Sequence, residues 1–132
     1  MAEPVTALLV MPPEKRSALL GHFTGVRMQV LTASNCREAA DRLRAEPGVR
    51  VVLSDLSLED GTWLDVMHDV DQRKAGAKVV VCVHLADERL WVRLIEAGAY
   101  DVLVEPYEDV EVKRILESAS ESRSVPPLAA AS

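Results

Sequence analysis

Aromatic residues are scarce in this chain: two tryptophans, two tyrosines and one phenylalanine among 132 residues. A core must therefore be packed from aliphatic side chains, and a 48% hydrophobic fraction supplies enough of them for one domain of ordinary size. Cysteine is nearly absent. Cys36 and Cys82 are far apart and form no CxxC motif, a pattern that suits reduced, buried thiols in a cytosolic protein. Positive charge is in the minority, with 15 Lys and Arg against 21 Asp and Glu, and no basic cluster offsets the net charge of -6. That balance argues against general binding to nucleic acid or to an anionic membrane. No apolar run approaches the ~20 residues needed to span a bilayer. The opening MAEPVTALLVMPPEK lacks a positive leader and reads as a first strand rather than a signal peptide. A soluble, cytoplasmic protein is expected.

Other signatures are missing too. There is no GxGxxG, and Pro12-Pro13 removes N–H donors where a phosphate-cradling loop would follow the first strand. Ser54-Asp55 stands in no GxSxG elbow, which argues against a hydrolase triad. His22, His68 and His84 have no metal-ligand spacing, so a zinc site is not expected.

What is present is an alternation of apolar runs and helical patterns. Val5 to Met11 reads as a buried strand ended by Pro12-Pro13, with Pro13 suited to the first turn of a helix. Leu19, Leu20 and Phe23 share a face of that helix, and Gly25 closes it. Arg27 to Thr32 is a weaker second strand. Ser34 or Asn35 can cap the next helix, supported by Glu38, with Cys36, Ala39, Ala40 and Leu43 facing inward. Pro47-Gly48 breaks it, and Val49 to Ser54 forms a third strand. Trp63, Val66, Met67 and Val70 then lie at i, i+3, i+4, i+7, one helix face. Val79 to Val83 is the most continuous apolar run, as expected of a central strand covered on both faces. Asp87 can cap a helix with Leu90, Trp91, Leu94 and Ile95 inside, stopped by Gly98. Val102 to Val104 is a short fifth strand ended by Pro106, and a last helix from about Glu108 to Ser120 buries Val112, Ile115, Leu116 and Ala119. Five strands alternating with five helices argue for an α/β domain over residues 1–120, a parallel sheet with helices on both faces. The tail, residues 121–132, is small, Pro-containing and without a stripe, and reads as disordered.

In open sheets of this type, sites lie beyond the carboxyl ends of the strands, near the switch in strand order. In GVRVVLSDLSLEDG the third strand delivers Ser54 and a lone carboxylate, Asp55, to such an end, followed by a turn at Glu59-Asp60-Gly61. Asp55 is therefore the first candidate site residue, either as a functional group or as a strand-end carboxylate satisfied locally by backbone N–H groups or His84.

With these elements the sequence resembles the receiver domains of bacterial two-component response regulators, over roughly residues 4 to 120. DLSLEDG is similar to the family's DLxLPDG loop, with Glu59 in place of proline, and EAGAYDVLVEP to its EAGADDYLVKP. The resemblance implies a doubly wound (βα)5 fold of flavodoxin-like strand order 2-1-3-4-5, and it places Asp55 at the phosphate-accepting aspartate. It also implies supporting residues that this chain replaces. The acidic pair that helps bind Mg²⁺ at the end of the first strand falls on Met11 and Pro12, so Mg²⁺ binding is doubtful and no metal or other cofactor is expected. The family's phosphate-contacting lysine becomes Glu105, whose charge opposes an incoming phosphoryl group. The hydroxyl residue of the fourth strand becomes Val83, and the usually small next residue becomes His84, placed to narrow access to Asp55 or to pair with it. Leu103 stands for the switch aromatic, followed by Pro106 and Tyr107.

The expectation is a degenerate receiver, or pseudo-receiver: a signalling module rather than an enzyme. It would act in a phosphorelay through protein–protein contact, with Mg²⁺-dependent phosphorylation impaired or absent. The alternative is a conventional phosphoacceptor modified on Asp55. The partner would be a protein such as a histidine kinase or an output protein, or a second copy docking through the Asp87–Ser120 face, where Leu103, Pro106 and Tyr107 are interface candidates.

Overall fold

The computed structural model describes residues 5–23, 25–73, 76–84 and 87–121. Its long strands are β1 (Val5–Val10), β2 (Met28–Ala33), β3 (Val49–Asp55), β6 (Lys78–Val83) and β7 (Asp101–Val104). A two-residue ribbon, β4 (Ser57–Leu58) with β5 (Gly61–Thr62), follows β3. The helices are α1 (Pro13–Leu20), extended by a 3-10 turn over Gly21–Phe23, α2 (Cys36–Ala45), α3 (Trp63–Arg73), α4 (Glu88–Glu96) and α5 (Asp109–Glu121). The long strands pair in parallel in the order β2-β1-β3-β6-β7. Counting long strands only, this is 2-1-3-4-5, the order that the family resemblance implies. The last described residue, Glu121, is helical, and the tail expected to be disordered otherwise lies outside the described residues.

Strand alternation divides the core into two layers, because successive side chains point to opposite faces of the sheet. Leu8, Val10, Val52, Val81 and Val83 pack under α2, α3 and α4, where Ala39, Leu43, Trp63, Val66, Val70 and Leu94 meet them. Ala7, Leu9, Met11, Val51, Leu53, Val80, Cys82 and Leu103 pack under α1 and α5. There Leu19, Phe23, Val112, Ile115, Leu116 and Ala119 complete the layer. Burying each such Val, Leu or Ile contributes about 1.5–3 kcal/mol, and that burial overrides the weak intrinsic preferences of these short segments.

Two of the expected inward positions lie at the surface. Leu20 is 36% exposed, because the chain tightens into the 3-10 turn and rotates the face away from the sheet. Trp91 is 45% exposed, since the stripe of α4 closes on Leu94, with Leu90 and Ile95 at its margins. The second strand runs Met28–Ala33, one residue later than expected at each end.

The first turn of α2 is capped from two sides. The carboxylate of Asp60, in the β4–β5 turn, accepts from Cys36 N–H at 2.7 Å and from Arg37 N–H at 3.1 Å. Asn35 Oδ1 accepts from Glu38 N–H at 2.8 Å, and the Asn35 carbonyl from Ala39 N–H at 3.0 Å. The N–H groups of Cys36, Arg37 and Glu38, three of those that a helix start leaves without an intrahelical partner, are thus bonded. Asp60 thereby pins the loop after Asp55 onto a neighbouring helix.

Candidate functional site

The site is built where β1, β3, β6 and β7 end together. Val10 lies opposite Ser54, Asp55 opposite Cys82, and Val83 opposite Val104. Leu53 faces α1 and α5, so two residues on Asp55 turns to the same side. Ser54 faces the other layer, fully buried, and its Oγ–H donates to the Asp55 carbonyl at 2.9 Å.

Asp55 holds two contacts. Its Oδ1 accepts from the Leu56 N–H at 2.9 Å. Its Oδ2 accepts from the Lys15 ammonium, also at 2.9 Å. Lys15 reaches it from the first turn of α1, whose start is fixed by Pro12 in an extended conformation and Pro13 as the first helical residue. The hydrogen bond to Asp55 holds the Lys15 pKa above its ordinary value of 10.5. The negative charges of Asp55, Glu105 and Glu14 add to that effect, and partial burial opposes it. Neighbouring Arg16 ties α1 down, donating to the Met11 carbonyl at 3.3 Å and to Ser34 Oγ at 2.9 Å.

A second pair stands beside the first. His84 Nδ1 lies 2.9 Å from Glu105 Oε1, with the His84 side chain 80% exposed. Glu105 is fixed by its own N–H, which donates to the Val83 carbonyl at 3.0 Å, and the Glu105–Pro106 peptide is cis. His84 therefore pairs with Glu105 and Asp55 with Lys15. The suggested His84–Asp55 pairing is not made, because Lys15 takes the carboxylate that His84 would need.

Deeper in, Tyr107 and Cys82 line the site together. Burial pushes the Cys82 thiol up to about 12, and the charge of Asp55 adds to it. Burial likewise raises the Tyr107 hydroxyl, followed by the charges of Cys82 and Glu105. Both groups stay protonated at neutral pH. Tyr107 is held from outside by an edge-on contact with His22, ring centroids 6.1 Å apart at 79°, and His22 pairs with Asp109 of α5 at 2.5 Å.

A cavity of about 370 Å³ opens over these groups, lined by Met11, Lys15, Asp55, Cys82, Val83, His84, Glu105 and Tyr107. Six of these positions were singled out from the sequence. Pro12 shapes the entry to α1, and Pro106 lies in an adjoining groove with Ala18, His22 and Tyr107. Leu103, taken as an interface candidate, is only 1% exposed. Strand alternation turns it into the core, and Val104, 37% exposed, is its surface neighbour. Lys15 and Asp60 were missed. Among the described residues, no three His, Cys, Asp or Glu side chains gather as a group able to hold a metal ion.

The response regulator receiver domain family matches residues 13–117. The chain belongs to this family. It is thus a regulatory signalling module of two-component systems rather than a catalytic enzyme. The receiver is 26% identical over 88 residues to the chemotaxis protein CheY of Thermotoga maritima, covering 67% of this chain and 72% of that protein. It is 32% identical over 96 residues to the photosynthetic apparatus regulatory protein RegA of Cereibacter sphaeroides, covering 73% of this chain. Only 52% of RegA is matched, so the receiver spans about half of that relative. Among solved structures, the CheX–CheY–BeF3–Mg complex from Borrelia burgdorferi is similar at a TM-score of 0.76 and 20% identity, covering 87% of this chain and 88% of that one. That likeness bears on fold alone. No described helix is long and apolar enough to cross a membrane.

Proposed function

We propose that this receiver signals through protein–protein contact, with Mg²⁺-dependent phosphorylation of Asp55 impaired or absent. One observation carries the reading: the Lys15 ammonium sits 2.9 Å from Asp55, beside a strand end that supplies Met11 and Pro12 instead of carboxylates. Mg²⁺ takes oxygen ligands in near-octahedral geometry at about 2.0–2.1 Å. The donor set here does not fit such an ion. Asp55 offers one carboxylate, already bonded to a cation and a backbone N–H, and the neighbouring Glu105 is engaged by His84. Lys15 supplies positive charge at Asp55 without a metal. Where the family has a phosphate-contacting lysine, Glu105 places a negative charge that opposes a phosphoryl group of roughly 1.5 to 2 negative charges.

The partner in this reading is a protein, either a kinase or an output protein. A CheY of the same fold is found in complex with CheX, so this fold admits action through protein contact. The Asp87–Ser120 face is the first surface to test, for a partner or a second copy. Trp91, Val92 and Val104 are exposed apolar residues there, whereas Leu103 lies beneath the surface. The acidic net charge supports a protein partner over nucleic acid or membrane, and the two free thiols fit a reducing, cytoplasmic compartment.

The test is intact mass after incubation with acetyl phosphate, with and without Mg²⁺, for the native protein and Asp55→Asn. The expected result is no Mg²⁺-dependent adduct beside a working receiver control. A Mg²⁺-dependent adduct lost in Asp55→Asn would establish the conventional phosphoacceptor instead.

A further inference from the structure

His84 and Glu105 form a dyad that an Asp55-centred reading does not use. A carboxylate accepts hydrogen bonds and donates none, so the 2.9 Å contact places the His84 proton on Nδ1. The neutral ring then carries its lone pair on Nε2. A carboxylate on one imidazole nitrogen fixes the tautomer and the orientation of the ring. His84 is 80% exposed, while Glu105 is only 32% exposed and is anchored through its backbone to Val83. The nucleophilic edge is thus open and its orienting group is held. The same cavity contains the Lys15 ammonium, a cation able to offset the charge of an incoming phosphoryl group.

We propose that His84 is a phosphoryl acceptor of this receiver, taking the group on Nε2 from an acyl phosphate. The step balances with acetyl phosphate. The Nε2 lone pair forms the N–P bond, the bond from phosphorus to the acyl oxygen breaks, and acetate leaves with that electron pair. The attacking nitrogen carries no proton, so none need be removed. The Nδ1 proton stays on His84, hydrogen-bonded to Glu105, whose carboxylate compensates the positive charge that develops on the ring. Lys15 offsets the phosphoryl oxygens, and no metal takes part. Glu105 is a positioning residue here: a negative charge that hinders phosphorylation at Asp55 becomes the group that orients a histidine.

The experiment incubates the full chain with acetyl phosphate in the presence of EDTA and follows adduct formation by intact mass. Lability identifies the bond. Phosphohistidine is lost in acid and survives base, whereas an aspartyl phosphate is lost in base and to hydroxylamine. The expected adduct is acid-labile and base-stable, persists in Asp55→Asn, and disappears in His84→Gln. Glu105→Gln is expected to slow its formation about tenfold or more. Imidazole nitrogen NMR should show His84 with its proton on Nδ1 in the native protein and a shifted tautomer balance in Glu105→Ala. Absence of an adduct, or one that survives His84→Gln, overturns the proposal. A base-labile adduct lost only in Asp55→Asn overturns it, whereas the proposed function falls only to an adduct that forms with Mg²⁺ and not in EDTA. The exposed position of His84 leaves the core untouched in the variant, and circular dichroism checks the fold.

Discussion

A double-mutant cycle on Lys15→Met and Asp55→Asn measures the contact at the centre of this site. The two charges stand 2.9 Å apart. At that separation Coulomb attraction is about 1.4 kcal/mol in bulk water and about 6 kcal/mol at an effective dielectric constant of 20. The lysine side chain is 52% exposed and the aspartate 13%, so solvent screening and the ordering of a long side chain remove most of the larger figure. A coupling free energy of about 0.5–1 kcal/mol is expected, the upper range for exposed pairs. Urea titrations of the four proteins at low salt read it, and raising the salt to ~1 M, where the screening length is about 3 Å, should reduce it. The pH dependence follows from the raised Lys15 pKa. A cationic group whose folded value exceeds its unfolded one contributes fully below the unfolded value and loses that contribution as pH rises through the folded one. The lysine contribution should hold from neutral pH up to about the ordinary value of 10.5 and fall beyond it. A coupling indistinguishable from zero at low salt and neutral pH would refute the reasoning, because the ammonium would then not be held on Asp55.

Three other outcomes follow from the packing around the site. Asp60→Ala removes the acceptor for two N–H groups of α2 and should cost about 1 kcal/mol in urea unfolding at neutral pH. The Cys36 and Arg37 amides hold the Asp60 pKa below its ordinary 3.8, so its contribution is complete above that value and should fade as pH falls below it. Cys36 and Cys82 are both raised to about 12, chiefly by burial, so a thiol reagent near neutral pH should label both slowly in the folded protein and rapidly in denaturant. Gly98→Ala should destabilise by about 1–3 kcal/mol. Its φ of +117° suits glycine, and an added Cβ would stand 2.2 Å from Met67 Cε; an unchanged urea midpoint would contradict this.

Most of the sheet was legible because the central strands carry short apolar runs bounded by Pro or Gly, β2 being the weakest of the five. Val112, Ile115, Leu116 and Ala119 were placed by spacing alone and are all buried. Trp91 and Leu20 were not, since residues at the edge of a stripe are decided by how far the helix rotates on the sheet, a tertiary property. The cavity was legible through the family motifs, which located Asp55, Val83, His84 and Glu105. Its pairing was not. Lys15 lies 40 residues from Asp55 and is one of several charged residues opening α1, so nothing local marks it. The nearest signal was indirect: with no acid at Met11 or Pro12, Asp55 needed another source of positive charge. Asp60 was hidden for the same reason, its partners being amides 23 and 24 residues earlier.

The central claim is that an ammonium group, rather than a metal ion, answers the charge of Asp55. The Leu56 amide donates to Asp55 Oδ1 and so reports on that carboxylate directly. Its NMR shift, followed as MgCl₂ is added and compared with NaCl at equal ionic strength, is the decisive measurement. The account expects no saturable Mg²⁺-specific change at Leu56. A saturable shift in the native protein that is absent in Asp55→Asn would contradict it and return Asp55 to the metal-dependent chemistry of its family.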